Sequence, residues 1–144
     1  MTSPELERLA QIGKLKREPG AQEEIDGLVR SARRRLTDAE NPALALESRF
    51  DLAYNAAHAL SLAALRWNGF RADARYLAFQ ALPHTLGLGQ EIWRVLATCH
   101  QRRNALEYEG HLEVDERLIA DLLSAAETVY EAVLRLGPVG SHNG

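Results

Sequence analysis

The sequence predicts an all-α protein, a bundle of four longer helices with one or two short ones. Three observations lead there. Apolar residues recur every three or four positions through long segments, as at Leu118, Leu122, Ala125 and Val129. No segment alternates with period two, and β-branched residues are too sparse for strands. Finally, the periodic segments are punctuated by helix-ending residues: Pro19-Gly20, Asn68-Gly69, Gly110 and Gly137-Pro138.

Taken in order, Met1–Gly20 reads as a short, weak helix with Leu6, Leu9, Ile12 and Leu15 at three-residue steps. Ala21–Ala39 is a second helix, with Ile25, Leu28, Val29, Ala32 and Leu36 facing inward. Its other side carries Arg30, Arg33, Arg34 and Arg35. That patch suits a solvated helix end, where cations favour the dipole. It equally suits a phosphate-contacting ridge if it lies beside Arg102 and Arg103. Asn41-Pro42 reads as an N-cap followed by proline at the first helical position. From there to Trp67 the chain is apolar nearly all round, which predicts the central helix. One polar line crosses it at Asp51, Asn55 and His58. A buried histidine satisfied by a neighbour explains that line, and so does a polar cavity shared with a facing helix.

Arg71–Leu82 reads as a shorter helix stopped by Pro83. Glu91–His111 follows, with Ile92, Val95, Leu96, Cys99 and Leu106 on one face and Trp93, His100, Asn104, Tyr108 and His111 on another. Asp115 caps the last helix, Glu116–Leu136. Residues 1–137 therefore form one domain, and 138–144 are expected to be a loose tail.

The 144 residues are 46% hydrophobic and 26% charged, which fits one soluble globular domain. A net charge of −3 does not favour bulk attraction to nucleic acid, so any such contact needs a local arginine patch. The one cysteine, Cys99, excludes an internal disulfide and reads as an inert buried thiol. The five histidines have no i, i+4 pair, so neither a metal site nor a cofactor is expected. With no signal-peptide pattern and no apolar run of membrane length, the expectation is a cytoplasmic protein without membrane contact.

The chemistry that remains centres on Arg103, Asn104 and Tyr108, with His100, His111 and Arg102 as auxiliaries. Arginine supplies a fixed cation, asparagine a donor and tyrosine a hydrogen-bonding hydroxyl, a set that can hold a phosphodiester. RNA cleavage by an internal 2′-hydroxyl needs only orientation, neutralisation and proton movement, with no obligatory metal. A convincing base is missing, because a tyrosine titrating near 10 is a poor one at neutrality. The same residues also suit the wet side of a surface helix. A small-metabolite enzyme built on Asp51, Asn55 and His58 is a third reading.

An all-helical domain with QRRNALEYEG at the end of a late helix resembles the HEPN superfamily of nucleotide-binding domains. The resemblance covers most of the chain as helix order, through the ALPHTLGLG connection and the closing amphipathic helix. Arg103-Asn104 matches the first half of that family's arginine–polar–histidine motif, and Tyr108 stands where the histidine is expected. Arg94 and His100 have a permitted spacing but no adjacent asparagine. The resemblance implies a homodimer in which two such helices meet around a cleft for RNA or a nucleotide. It also implies either a metal-independent endoribonuclease of a toxin–antitoxin or phage-defence system, or a module that binds without cutting. The first commonly has a nucleotidyltransferase-like antitoxin as partner; the second has a protein partner on the same face.

Overall fold

A computed structural model describes residues 3–110 and 113–140, with the Glu107 side chain outside that description. Among the described residues the chain forms α1 (Pro4–Gln11), β1 (Leu15–Arg17), α2 (Gln22–Ala39), α3 (Leu46–Trp67), β2 (Phe70–Ala72), α4 (Arg75–Gln80), α5 (Leu82–Thr85), α6 (Gln90–Glu109) and α7 (Glu116–Leu134). The all-α bundle expected from periodicity is the observed architecture. As its composition predicts, α3 is central. It packs along α2 and α7, and Ala53, Ala56, Ala57, Ala63 and Ala64 are fully buried where the helices approach closely. Around them Phe50, Tyr54 and Leu60 meet Leu36 of α2, Leu96 of α6, and Ile119 and Leu122 of α7 in one core.

The segment 1–20 departs from expectation. Its helix ends at Gln11, and Leu15–Arg17 pairs antiparallel with Phe70–Ala72, Leu15 opposite Ala72. The absence of strands expected from the sequence is thus corrected by one small ribbon. Three residues per strand are too few to display a period of two. The ribbon is stabilised by a second, smaller core of Leu6, Leu15, Leu65, Phe70 and Ala81 beneath it.

Asn41-Pro42 forms a turn rather than a helix start. The Asn41 side chain accepts from the Ala43 amide at 3.0 Å, its carbonyl accepts from Leu44 at 3.2 Å, and α3 begins four residues later. The single helix expected over 71–82 is instead β2, α4 and α5, with Pro83 in the first turn of α5. Other boundaries match. Gly69 and Gly110 have φ of +87° and +68°, and Asp115 accepts from the Leu118 amide at 2.8 Å.

Two buried arginines tie the bundle ends. Arg66, 3% exposed, donates to the carbonyls of Glu18 (2.9 Å), Pro19 (3.1 Å) and Phe70 (3.0 Å) and pairs with Glu24 and Glu18. Arg49 donates to the Ala39 carbonyl at 2.8 Å, capping the end of α2, and reaches Glu116 at 3.3 Å. On α2, Arg33 makes a bidentate pair with Glu127 of α7 and lies over the Tyr130 ring. That member of the arginine patch is a helix-to-helix clamp. Of the segment expected to be loose, Val139 is anchored: its amide donates to Gln22 at 2.8 Å, and the preceding Gly137 carbonyl accepts from Trp67. No helix among the described residues is long and apolar enough to cross a membrane.

Candidate functional site

Helix α6 starts after Gly89, packs against α7, α4, α3 and α5, and ends in the left-handed Gly110. Leu96 and Cys99 are fully buried, and Ile92 and Val95 are half-buried against the core. Leu106 is not part of that stripe. At 38% exposed it lies at the edge of the bundle beside Glu47 and Phe50 of α3, and Tyr108 is 84% exposed. The last turn of α6 is thus exposed, which the spacing of its apolar residues does not reveal.

Where α6 crosses α3, the polar line and the motif helix do meet. Arg103 donates to Asp51 Oδ1 at 2.7 Å, and its guanidinium lies 5.4 Å from the centre of the Tyr54 ring. Tyr54 Oη is 3.0 Å from His100 Nδ1, and His100 Nε2 is 3.3 Å from the Asn104 amide nitrogen. With that nitrogen donating to Nε2, a neutral ring carries its proton on Nδ1 and donates to the tyrosine oxygen. Asn55 donates to the Asp51 carbonyl at 2.8 Å and accepts from Arg75 of α4 at 3.2 Å. The whole group is one hydrogen-bonded site on three helices.

Its electrostatics follow from partial burial between cations. Burial is the main force that pushes the Tyr54 hydroxyl above its usual range, while Arg75 and Arg103 pull the other way. Burial also lowers His58, to about 4, helped by Arg75 and His100. His58 is therefore neutral at pH 7, edge-on to Phe79 with 5.9 Å between ring centres. Burial lifts the Cys99 thiol to about 12, so it is no nucleophile.

Several expected residues are elsewhere. Tyr108 points into solvent, and Arg102 turns to Glu113, donating to its carbonyl at 2.9 Å. Arg94 donates to Gln90 on its own helix, away from His100. His111 lies outside the described residues. Conversely, Tyr54, Arg75 and Tyr76 belong to the site without having been singled out. Tyr54 had a signal, since it falls three residues after Asp51 and four before His58 on the same stripe. Arg75 and Tyr76 had none, because only the turn after β2 brings α4 here. Among the described residues no cluster of three or more histidine, cysteine or acidic side chains is placed to hold a metal.

Beside the Arg103–Asp51 pair is a shallow groove of about 510 Å³ lined by Leu44, Glu47, Phe50, Leu52 and Leu106. Comparison with known proteins adds no relative: no family model matches the chain, and neither a curated protein nor a solved structure matches it.

Proposed function

We propose that this is a HEPN-like cytoplasmic domain that acts as a homodimer and holds RNA or a nucleotide by its phosphate at Arg103 and Asn104. The observation that carries this reading is the gathering of Arg103, Asn104, His100 and Arg75 around Tyr54 on one solvent-facing site. Two guanidiniums and a carboxamide there make a donor set suited to a phosphodiester. The chemistry favours binding over cleavage. Both nitrogens of His100 are engaged, and Tyr108 is exposed away from them, so the site lacks a free base for a metal-independent ribonuclease. The dimer is supported by Leu44, Leu106 and Tyr108, exposed at the end of the bundle where a second α6 would lie.

Fluorescence anisotropy with a short labelled RNA tests the reading, with binding that weakens as salt rises. Arg103→Ala should abolish it while the protein stays folded. Light scattering should give twice 16.0 kDa, and a clean monomer counts against the dimer. Tyr108→His tests the ribonuclease branch, since imidazole is the commoner general base and a dimer is what would bring this exposed position to the cleft. If wild type neither binds nor cuts RNA and Tyr108→His gains nothing, the reading is wrong.

A second reading is favoured by the Asp51 carboxylate already seated on Arg103 and by the apolar groove next to it. It is an interaction module whose partner is a protein, such as a nucleotidyltransferase-like antitoxin. In that case Leu106→Asp breaks the complex and Arg103→Ala leaves it intact.

A further inference from the structure

The nucleotide reading concerns phosphate, yet the same site continues into aromatic surface that phosphate binding does not need. Tyr76 of α4 and Trp93 of α6 meet edge-on, their ring centres 5.4 Å apart, and both are half-buried. Tyr76 lies 5.2 Å from His100, His100 stacks on Tyr54 at 6.5 Å, and Arg103 lies over Tyr54 at 5.4 Å. Arg75, next in the chain to Tyr76, bonds to Asn55 of α3. Arg103 thus adjoins a run of ring contacts from Tyr54 through His100 and Tyr76 to Trp93, in which Tyr54 is buried and the other three rings are half-buried.

Neither the Tyr76 hydroxyl nor the Trp93 indole N–H has a hydrogen-bond partner among the described residues, unlike Tyr54 and Trp67. Neither tip is a buried unpartnered atom, so both reach the rim, where a ligand can bond them. A half-exposed aromatic pair beside cations suits an unpaired base and its phosphate. A duplex keeps its bases stacked inside and offers this surface nothing.

We propose that Tyr76 and Trp93 form a stacking platform for one unpaired base, whose phosphate is held by Arg75 or Arg103. The ligand is then single-stranded RNA or a free nucleotide rather than a duplex. This rests on the nucleotide reading above, and its test separates the two.

The probe is a hexamer RNA carrying 2-aminopurine, whose emission is quenched on stacking, alongside the same sequence as a duplex and 2-aminopurine ribonucleoside monophosphate. Wild type should quench the single strand and bind it at least tenfold tighter than the duplex. Quenching of the monophosphate as well identifies a nucleotide site, and quenching of the strand alone identifies an RNA site; either supports the platform. Tyr76→Leu should weaken binding by about five- to hundredfold, while Tyr76→Phe retains it. Binding without quenching in the wild type overturns the platform whatever the variants do, and leaves the phosphate reading standing. So does a folded Tyr76→Leu that binds as wild type while Arg103→Ala does not. No binding of any probe overturns both.

Discussion

Arg103 of α6 and Asp51 of α3, far apart in sequence, form a 2.7 Å ion pair at the mouth of the site, with the arginine 24% and the aspartate 60% exposed. With its carboxylate this exposed the ion pair itself adds little to folding, because solvent screens it and ordering two side chains costs entropy. Under the proposed phosphate binding its consequence is functional, since the carboxylate stands where an incoming phosphate would be attracted.

Asp51→Asn should therefore tighten RNA binding several-fold, and Arg103→Ala should abolish it at a stability cost of about 1–3 kcal/mol for the lost pair, ring contact and packing. Anisotropy titrations beside urea melts check both. A loss of binding in Asp51→Asn would mean that the pair orders the site rather than competing with the ligand.

Arg66 should behave oppositely. It is buried, pairs with two carboxylates and donates to three backbone carbonyls, so its removal leaves those acceptors dry. Arg66→Met should cost about 3–5 kcal/mol, read from the urea midpoint. Arg66→Lys should rescue little, because an ammonium lacks the planar fork that reaches these acceptors together.

His58 gives stability a pH dependence. Its folded value near 4 lies below the unfolded value near 6.5, so the folded state resists the proton that the unfolded state accepts. Its penalty is absent above about 6.5, grows as pH falls towards 4, and is constant below. His58→Leu should lose that component, so the stability difference between wild type and variant should shift in the variant's favour from pH 7 to pH 4.5. A difference that does not change with pH would show that the ring is hydrated and titrates normally.

Cys99 should resist alkylation. Its buried thiol, raised to about 12, exposes almost no thiolate at pH 8. Iodoacetamide should label it only in denaturant, and labelling of the native protein at the rate of a free thiol would place it at the surface.

Much of the fold was legible because long helices advertise themselves. The apolar excess of α3, the Asp115 cap and the glycines at 69 and 110 each express a local rule. The β-ribbon was not legible, since Leu15 pairs with Ala72 through neither periodicity nor propensity. Pro42 and Pro83 were ambiguous for a physical reason: proline fits the first turn of a helix and the second position of a turn equally well. Within the site, the meeting of Asp51 and Asn55 with Arg103 was readable as two polar stripes on adjacent helices. Tyr54 was hidden by its own bulk, because a tyrosine in an alanine-rich helix reads as core. Arg66 was hidden likewise, as one arginine in an apolar run.

The ribbon between β1 and β2 also bears on how the chain comes to be made. Its first strand leaves the ribosome well before its partner exists, and at ordinary translation speeds the wait is on the order of seconds. Through that interval Leu6 and Leu15 have no Phe70 to cover them, while α2 and α3, neighbours in sequence, can already pair. Docking of the amino-terminal hook is then a late, long-range event that closes a large loop. Gly20 sits at its hinge: a methyl group there would lie 2.3 Å from the Arg66 carbonyl oxygen. A larger residue at that hinge would keep the hook from seating, and the nascent chain would carry Leu6 and Leu15 exposed to chaperones and proteases for longer.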